Sequence, residues 1–247
     1  MKRLIATTAL LGSLATGAFA ADLKEMTDAE RALFRAEVRS YLMENPEVIM
    51  QAVEVLQQRE QQQQLRADFD LVTENAEAIF NDGYSYVGGN PDGDIVLVEF
   101  LDYRCGYCRK AHDEVAELLE KDDNIKLIVK ELPILGDASV LASRFAVAVK
   151  QVAGDESYKA VGDALMSFKG DVTMPSLQRL GKTFGLDMEA IEARMNSDEV
   201  TAEISQTRAL ASVLAITGTP TFVMKDEMLR GYLPLEQMQA IVADKRG

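Results

Sequence analysis

Apolar residues recur at helical spacing through the first part of the chain. Thr27 and Glu30 form a capping box that predicts the start of a first helix. We expect Asn45 to cap a second helix and Pro46 to occupy its first position. The apolar stripes that favour these helices are Leu33, Phe34, Val38, Tyr41 and Leu42, then Val48, Ile49, Ala52, Val53 and Leu56.

A polar stretch, residues 57–64 (QQREQQQQ), interrupts this apolar pattern. It has no apolar face to hold it against a core, which predicts an exposed helical or flexible linker. A heptad pattern follows at Leu65, Phe69, Val72, Ala76 and Ile79. We therefore predict a helical oligomerisation segment and linker over residues 21–64 and a catalytic domain over residues 65–247. The first helices either pack on their own domain or associate with copies of themselves, and the linker favours self-association.

The remaining chain alternates between strand and helix patterns. A loop at 88–93 precedes a buried strand at 95–101, a helix at 109–119 and a second strand at 125–129. Several helices are predicted at about 138–216, followed by a hairpin of strands 221–224 and 228–232 and a helix at 235–244. This order predicts an α/β fold, a thioredoxin fold with an inserted helical subdomain, preceded by the helical oligomerisation segment.

The first twenty residues have the pattern of a cleaved signal peptide. Lys2 and Arg3 precede an apolar run at 4–14, and Ala18 and Ala20 supply the small residues of a cleavage site after Ala20. An uncleaved anchor is the alternative, although the run is short for a membrane span. Removal would leave 24 basic and 40 acidic residues, a net charge of −16. Such a charge argues against nucleic acid as a partner.

The chain has two cysteines, Cys105 and Cys108, separated by two residues. A disulfide that closes so small a loop removes little chain entropy, so redox chemistry is favoured over a structural role. A zinc site would need a second pair of ligands, and the chain has one histidine and no third cysteine. We expect no metal and no cofactor beyond a redox-active Cys105–Cys108 disulfide.

Two further motifs frame the cysteine pair. Cys105 is predicted at the amino end of a helix, where the helix dipole favours a thiolate, and Cys108 is placed to resolve a mixed disulfide. Pro220 follows a glycine-containing turn and leads into a strand, which suggests a cis bond after Thr219. A cis bond would leave the Thr219 backbone free to pair with an extended substrate; an ordinary trans proline at an edge strand is the alternative.

The segment FLDYRCGYCR at residues 100–109, with Thr219-Pro220, resembles the active site of the DsbA-like family of bacterial periplasmic oxidoreductases. Gly106 and Tyr107 between the cysteines, and Thr219 before the proline, resemble the isomerase DsbC rather than DsbA. The segment YLMENPEVIM at residues 41–50 resembles the amino-terminal region of the trimeric ScsC isomerases, which are tied to copper tolerance.

The resemblance implies a periplasmic disulfide isomerase, a homotrimer with a dimer as alternative, that acts on misfolded exported proteins. It also implies substrate contacts at Gly106, Tyr107 and Thr219 and a membrane thiol reductase of the DsbD or ScsB type as partner. Two other functions stay open, a monomeric DsbA-like oxidase and a Cu(I)-binding protein that uses its thiols.

Two polar residues have competing interpretations. Glu99 interrupts an apolar strand and resembles the buried acid that helps deprotonate the inner cysteine in thioredoxin-like proteins; a partnered or edge-exposed glutamate is the alternative. His112 shares a helix face with Cys108, which would suit a soft metal. We favour a surface position for His112, because the sequence shows no partner for it.

Overall fold

The computed structural model describes residues 26–247. The predicted signal peptide, residues 1–20, lies outside the described residues. The chain divides into two compact units, Met1–Arg59 and Glu60–Gly247, and the division falls inside the polar stretch at 57–64. Between residues 26 and 247, no helix combines the length and the apolar character needed to cross a membrane.

The described part of the first unit is helical. Helix α1 (Asp28–Glu44) begins at the predicted capping box, in which the Thr27 hydroxyl accepts from the Glu30 N–H and the Glu30 carboxylate accepts from the Thr27 N–H. Helix α2 (Glu47–Glu74) follows and continues into the second unit. Helix α1 buries none of its residues. Its apolar stripe is therefore open to solvent in the single chain.

The predicted cap at Asn45 is wrong. Asn45 ends α1 instead of starting α2, because its side-chain amide donates back to the Tyr41 carbonyl at 2.9 Å. Pro46 lies in the turn, and α2 begins one residue later.

The predicted heptad over residues 65–79 is also interrupted. At Asn75 the side chain donates to the Leu71 carbonyl at 2.8 Å, and a separate short helix α3 (Ala76–Phe80) follows. Only Val72 and Ile79 of the heptad are fully buried.

The second unit contains a five-stranded sheet with the order β1-β3-β2-β4-β5. Strand β3 is parallel to β2, and the other neighbours are antiparallel. The strands are β1 (Tyr86–Gly89), β2 (Ile95–Leu101), β3 (Ile125–Glu131), β4 (Thr221–Met224) and β5 (Glu227–Arg230). The helices are α4 (Gly106–Lys121), α5 (Asp137–Met166), α6 (Met174–Thr183), α7 (Met188–Met195), α8 (Asp198–Val213) and α9 (Leu235–Arg246). The predicted order of strand, helix, strand, helical insert, hairpin and helix is confirmed.

Strand β1 was not predicted, since Gly88 and Gly89 suggested a loop. Both glycines pair with β3, opposite Leu127 and Lys126. Gly89 has a φ of +64°, and a side chain there would collide with the Ile125 carbonyl oxygen. Glycine at this position therefore allows β1 to approach β3 rather than marking a loop.

Apolar cores cover both faces of the sheet. On one face, Cys108 and Val115 of α4 pack with Phe145 of the insert and Met238 of α9. On the other face the buried residues come from α2, α3 and α8, and they include Val72, Ile79, Leu210 and Leu214. The carboxyl end of β2 thus delivers the cysteine pair to the edge of the first core.

Candidate active site

Cys105 lies at the amino end of α4 and faces the loop before β4. It is the N-cap residue of the helix, and its backbone N–H donates to the Asp102 carbonyl at 3.0 Å. Its thiol donates to the Thr219 carbonyl oxygen at 3.1 Å, and the Thr219–Pro220 bond is cis. Two motifs that are 114 residues apart in sequence therefore meet at one sulfur atom.

Cys108 lies one turn further along α4 and is fully buried. Its Sγ accepts a weak hydrogen bond from the Asp102 N–H at 3.5 Å. Burial raises the pKa of the Cys108 thiol well above its usual value, and the nearby negative charge of Glu99 raises it further. Both cysteines are free thiols in the structure. Cys108 needs a proton acceptor if it is to act as a nucleophile.

Asp102 holds the loop that carries the cysteines. Its carboxylate accepts the Arg104 N–H at 2.8 Å, and its other oxygen accepts the N–H groups of Ile134 and Leu135 at 2.8 and 3.1 Å. The loop after β2 is therefore tied to the loop after β3. Sequence reasoning missed this residue, although an acid directly after a buried strand and before a turn was a usable signal.

Glu99 lies on β2 with 3% of its surface exposed. The Oε1 atom has no hydrogen-bond partner among the described residues. Burial, together with the negative charge of Glu131, raises the pKa of Glu99 to about 8. Glu99 is therefore not exposed at an edge, and its Oε1 is not partnered by any described residue. Its role in deprotonating Cys108 stays a prediction.

A second buried acid, Glu131 at the end of β3, was not predicted. Its carboxylate accepts hydrogen bonds from the hydroxyl groups of Tyr103, Tyr158 and Ser143 at 2.6–2.7 Å. Burial raises the pKa of Glu131 to about 7, and these three donors oppose the rise. The predicted strand ended at Val129, two residues too early, and this hid the acid from sequence reasoning.

Gly106 and Tyr107, predicted to contact substrate, are exposed at the start of α4. The Tyr107 ring, 65% exposed, lies 6.4 Å from the ring of Tyr232 between centroids. The Tyr232 hydroxyl donates to Glu114 at 2.5 Å. An aromatic surface therefore borders the outer cysteine.

His112 has a partner, which sequence reasoning did not foresee. Its Nε2 lies 3.2 Å from the Asp163 carboxylate on α5, and the histidine side chain is 30% exposed. Within residues 26–247, no group of three or more His, Cys, Asp or Glu side chains is arranged to hold a metal ion.

Two family models match the chain. The DSBA-like thioredoxin domain matches residues 96–243, and the copper resistance protein ScsC N-terminal domain matches residues 30–63. The first match contains Cys105, Cys108, Thr219 and Pro220. The second covers α1 and the first part of α2.

Solved structures are similar to the second unit and, in some cases, to more of the chain. A thioredoxin-like oxidoreductase from Silicibacter pomeroyi is 40% identical, with a TM-score of 0.65, over 69% of this chain and 96% of its own. ScsC from Proteus mirabilis, in a transitional conformation, is 27% identical with a TM-score of 0.65 over 89% of this chain and 98% of its own.

A curated relative is a larger protein. The Na(+)/H(+) antiporter NhaA 3 of Salinispora tropica is 25% identical over 157 residues, which are 64% of this chain and 24% of the antiporter. The chain therefore spans about a quarter of the length of that relative.

Proposed function

The chain belongs to the DSBA-like thioredoxin domain family, and from this premise we propose that it is a thiol–disulfide oxidoreductase whose main reaction is the reshuffling of wrong disulfides in exported proteins. The observation that carries the proposal is the contact between the Cys105 thiol and the Thr219 carbonyl oxygen at 3.1 Å. It places the outer sulfur beside the backbone that an extended substrate would pair with.

The first step is attack of the Cys105 thiolate on a substrate disulfide. A bond forms between Cys105 Sγ and one substrate sulfur, the substrate disulfide breaks, and the other substrate sulfur leaves as a thiolate. The exposed Gly106 and Tyr107 and the backbone of Thr219 form the surface on which the substrate would lie.

The mixed disulfide then has two fates. In isomerisation, a different substrate thiolate attacks the substrate sulfur, a new substrate disulfide forms and Cys105 leaves as a thiolate, with no net oxidation. In reduction, Cys108 attacks Cys105 Sγ, the substrate leaves as a thiolate and a Cys105–Cys108 disulfide forms. Glu99 would accept the Cys108 proton in this second fate, because it is the ionisable carboxyl whose charge acts on that thiol.

The first unit supports an assembled isomerase. Phe34, Val38 and Leu42 of α1 line a groove with Ile49 of α2. Leu33 of α1 is 72% exposed and Phe34 is 47% exposed, and a contiguous exposed apolar patch supports an interaction surface. The match of residues 30–63 to the ScsC N-terminal domain supports a homotrimer through this surface. Several active sites in one assembly would raise the local thiol concentration around a misfolded substrate.

The proposed location is the periplasm, on the basis of the signal-peptide pattern in residues 1–20. An isomerase has to keep Cys105 reduced. This requirement supports a membrane thiol reductase of the DsbD or ScsB type as the partner that restores the dithiol after each reductive turnover.

Cu(I) binding is a second candidate function. The family description of the amino-terminal match names copper resistance, and two thiolates separated by two residues are soft ligands suited to Cu(I). A monomeric dithiol oxidase is the alternative enzyme.

One experiment separates the isomerase from the oxidase. The purified protein is mixed with scrambled ribonuclease in a glutathione buffer, and recovery of ribonuclease activity is followed. We expect recovery that Cys105→Ser abolishes. Recovery only from fully reduced ribonuclease would identify an oxidase, and no effect on either substrate would contradict the proposed activity.

A further inference from the structure

A cavity of about 100 Å³ lies between α4, the sheet and α5, and Glu99 is one of the residues that line it. Its walls are mostly apolar and include Val115, Leu119 and Met166. Seven ionisable side chains also line it: Glu99, His112, Lys159, Asp163, Tyr86, Tyr103 and Tyr158. Space of this size holds several water molecules, since roughly 10–15 Å³ open to a water centre suffices for one.

Glu99 cannot exchange its proton directly with solvent. It is 3% exposed, and its Oε1 has no partner among the described residues although it borders the cavity. A group that accepts a proton from Cys108 in each reductive turnover must also release one. The cavity is the space that joins Glu99 to groups nearer the surface.

His112 lies where this cavity approaches the surface. Its side chain is 30% exposed and lines the cavity, so it borders both environments. The Nε2 atom lies 3.2 Å from one oxygen of Asp163, and Lys159 donates to the other oxygen at 2.7 Å. The carboxylate therefore lies against the imidazole on its Nε2 side and favours one orientation of the ring.

We propose that His112, oriented by Asp163, relays protons between the buried Glu99 carboxyl and solvent through this cavity. The inference rests on the proposed thiol–disulfide exchange. It makes His112 a proton-relay residue that never contacts the substrate, and it gives a role to the only histidine of the chain.

The steps balance as proton transfers. Ionised Glu99 takes the proton of Cys108 as that sulfur attacks Cys105 and the substrate thiolate leaves. Protonated Glu99 then passes its proton through water to His112, and the imidazolium releases it to bulk solvent. Glu99 is ionised again for the next turnover.

Other charged and titratable groups face Glu99 and set its response to pH. The negative charge of Glu131 on β3 raises the pKa of Glu99, and the charge of Glu99 in turn raises the pKa of Cys108 on α4. The remaining ones are Tyr103 after β2, Tyr86 of β1, Tyr158, Lys159 and Asp163 of α5, and Cys105. Among the residues lining the cavity, His112 is the one imidazole, and its side chain is 30% exposed.

The test follows single-turnover resolution of a Cys105–glutathione mixed disulfide at pH 7 in dilute buffer. We expect His112→Asn to slow glutathione release about 10-fold, and added imidazole to restore most of the rate by replacing the missing ring. Asp113→Asn, an exposed neighbour on α4 that does not line the cavity, should stay within about twofold of the wild type.

A second variant fills the cavity and leaves the histidine in place. A Cβ atom added at Gly162 would meet only the Tyr103 hydroxyl, at 3.5 Å, and Gly162 lines the cavity, so the side chain in Gly162→Leu should extend into the cavity and reduce its volume. It should slow the step without rescue by imidazole. A His112→Asn rate equal to the wild type, or a loss that imidazole does not restore, would overturn the relay. A wild-type protein that fails to form or resolve the mixed disulfide would contradict the proposed function instead.

Discussion

Glu99 and Glu131 lie on neighbouring parallel strands, and the negative charge of Glu131 helps to raise the pKa of Glu99 to about 8. Glu131 is held by three hydroxyl donors, whereas Glu99 has an oxygen without a partner among the described residues. The two buried acids therefore differ in how their carboxyl groups are hydrogen-bonded. The hydrogen bonds to Glu131 oppose the rise of its pKa, which reaches about 7, whereas Glu99 has a pKa of about 8 and an oxygen without a partner among the described residues, and we propose that it exchanges a proton with Cys108.

Removal of the Glu99 carboxyl should change the pH dependence of catalysis. Glu99 accepts a proton only when ionised, so resolution of the mixed disulfide should accelerate as pH rises through about 8. In Glu99→Gln this rise should disappear, and the rate at pH 7 should fall about 10-fold or more. Stopped-flow measurements between pH 6 and 9 check this, with the exposed Glu120→Gln as control. A Glu99→Gln profile that matches the wild type would leave Glu99 a structural residue.

The same shift predicts a pH-dependent cost to stability. Folded Glu99 keeps its proton up to a pKa of about 8, whereas the unfolded carboxyl releases it near the usual pKa of 4.5. The folded state therefore binds more protons in this interval, and stability falls as pH rises. Between pH 4.5 and 7 the wild type should lose roughly 3 kcal/mol more than Glu99→Gln. Urea unfolding at both pH values measures the difference, and equal losses would contradict the raised pKa.

Tyr158 should tune Glu99 through Glu131. Its hydroxyl donates to Glu131 at 2.6 Å and lowers the pKa of that acid. In Tyr158→Phe, Glu131 should be protonated for more of the time and should carry less negative charge. The pKa of Glu99 should then fall, and the midpoint of the pH–rate profile should move to lower pH. Tyr86→Phe is the matched control, because that ring packs 4.8 Å from Tyr158 between centroids and also borders the cavity. A profile that moves equally in both variants would rule out the coupling through Glu131.

The two cysteines should behave differently when each is removed. The Cys105 sulfur lies beside the Thr219 backbone that we propose pairs with substrate, whereas Cys108 is fully buried. Cys108→Ala should therefore accumulate mixed disulfides with substrate proteins, and Cys105→Ala should accumulate none. Non-reducing gels with mass spectrometry measure the trapped complexes. The reverse pattern would show that Cys108, and not Cys105, is the attacking sulfur.

The parts of the fold that depend on local pattern were predictable. Apolar strands, the capping box at Thr27 and the helix after Cys105 each follow from a few neighbouring residues, and the structure has all of them. The order of elements then predicted the fold. Gly88 and Gly89 show the limit, because a close approach to β3 requires glycine and looks in sequence like a loop.

The candidate site was predictable only where a motif carried it. Cys105, Cys108, Thr219 and Pro220 belong to local motifs, and the sequence order suggested that they meet. The acid Glu131 and the pair of His112 with Asp163 depend on contacts between elements far apart in the chain. No periodicity within one segment indicates such contacts, which is why Glu131 and the contact of His112 with Asp163 appeared only with the structure, whereas Glu99 was predicted from the sequence.

Assembly through the first unit decides between isomerase and oxidase. Phe34 of α1 and Ile49 of α2 line an apolar groove, and α1 buries none of its residues. Two new negative charges in this groove should therefore prevent association between chains without breaking the helices. Phe34→Glu with Ile49→Glu should lower the mass in solution from that of a trimer to that of a monomer.

The control is Gln61→Glu with Gln63→Glu, which adds equal charge at exposed polar positions of α2. The monomeric variant should keep its dithiol chemistry and lose activity on scrambled ribonuclease, since separated sites no longer raise the local thiol concentration around the substrate. Light scattering and the refolding assay measure both effects. A wild type that is already a monomer, or a monomeric variant that isomerises as well as the wild type, would favour the monomeric oxidase.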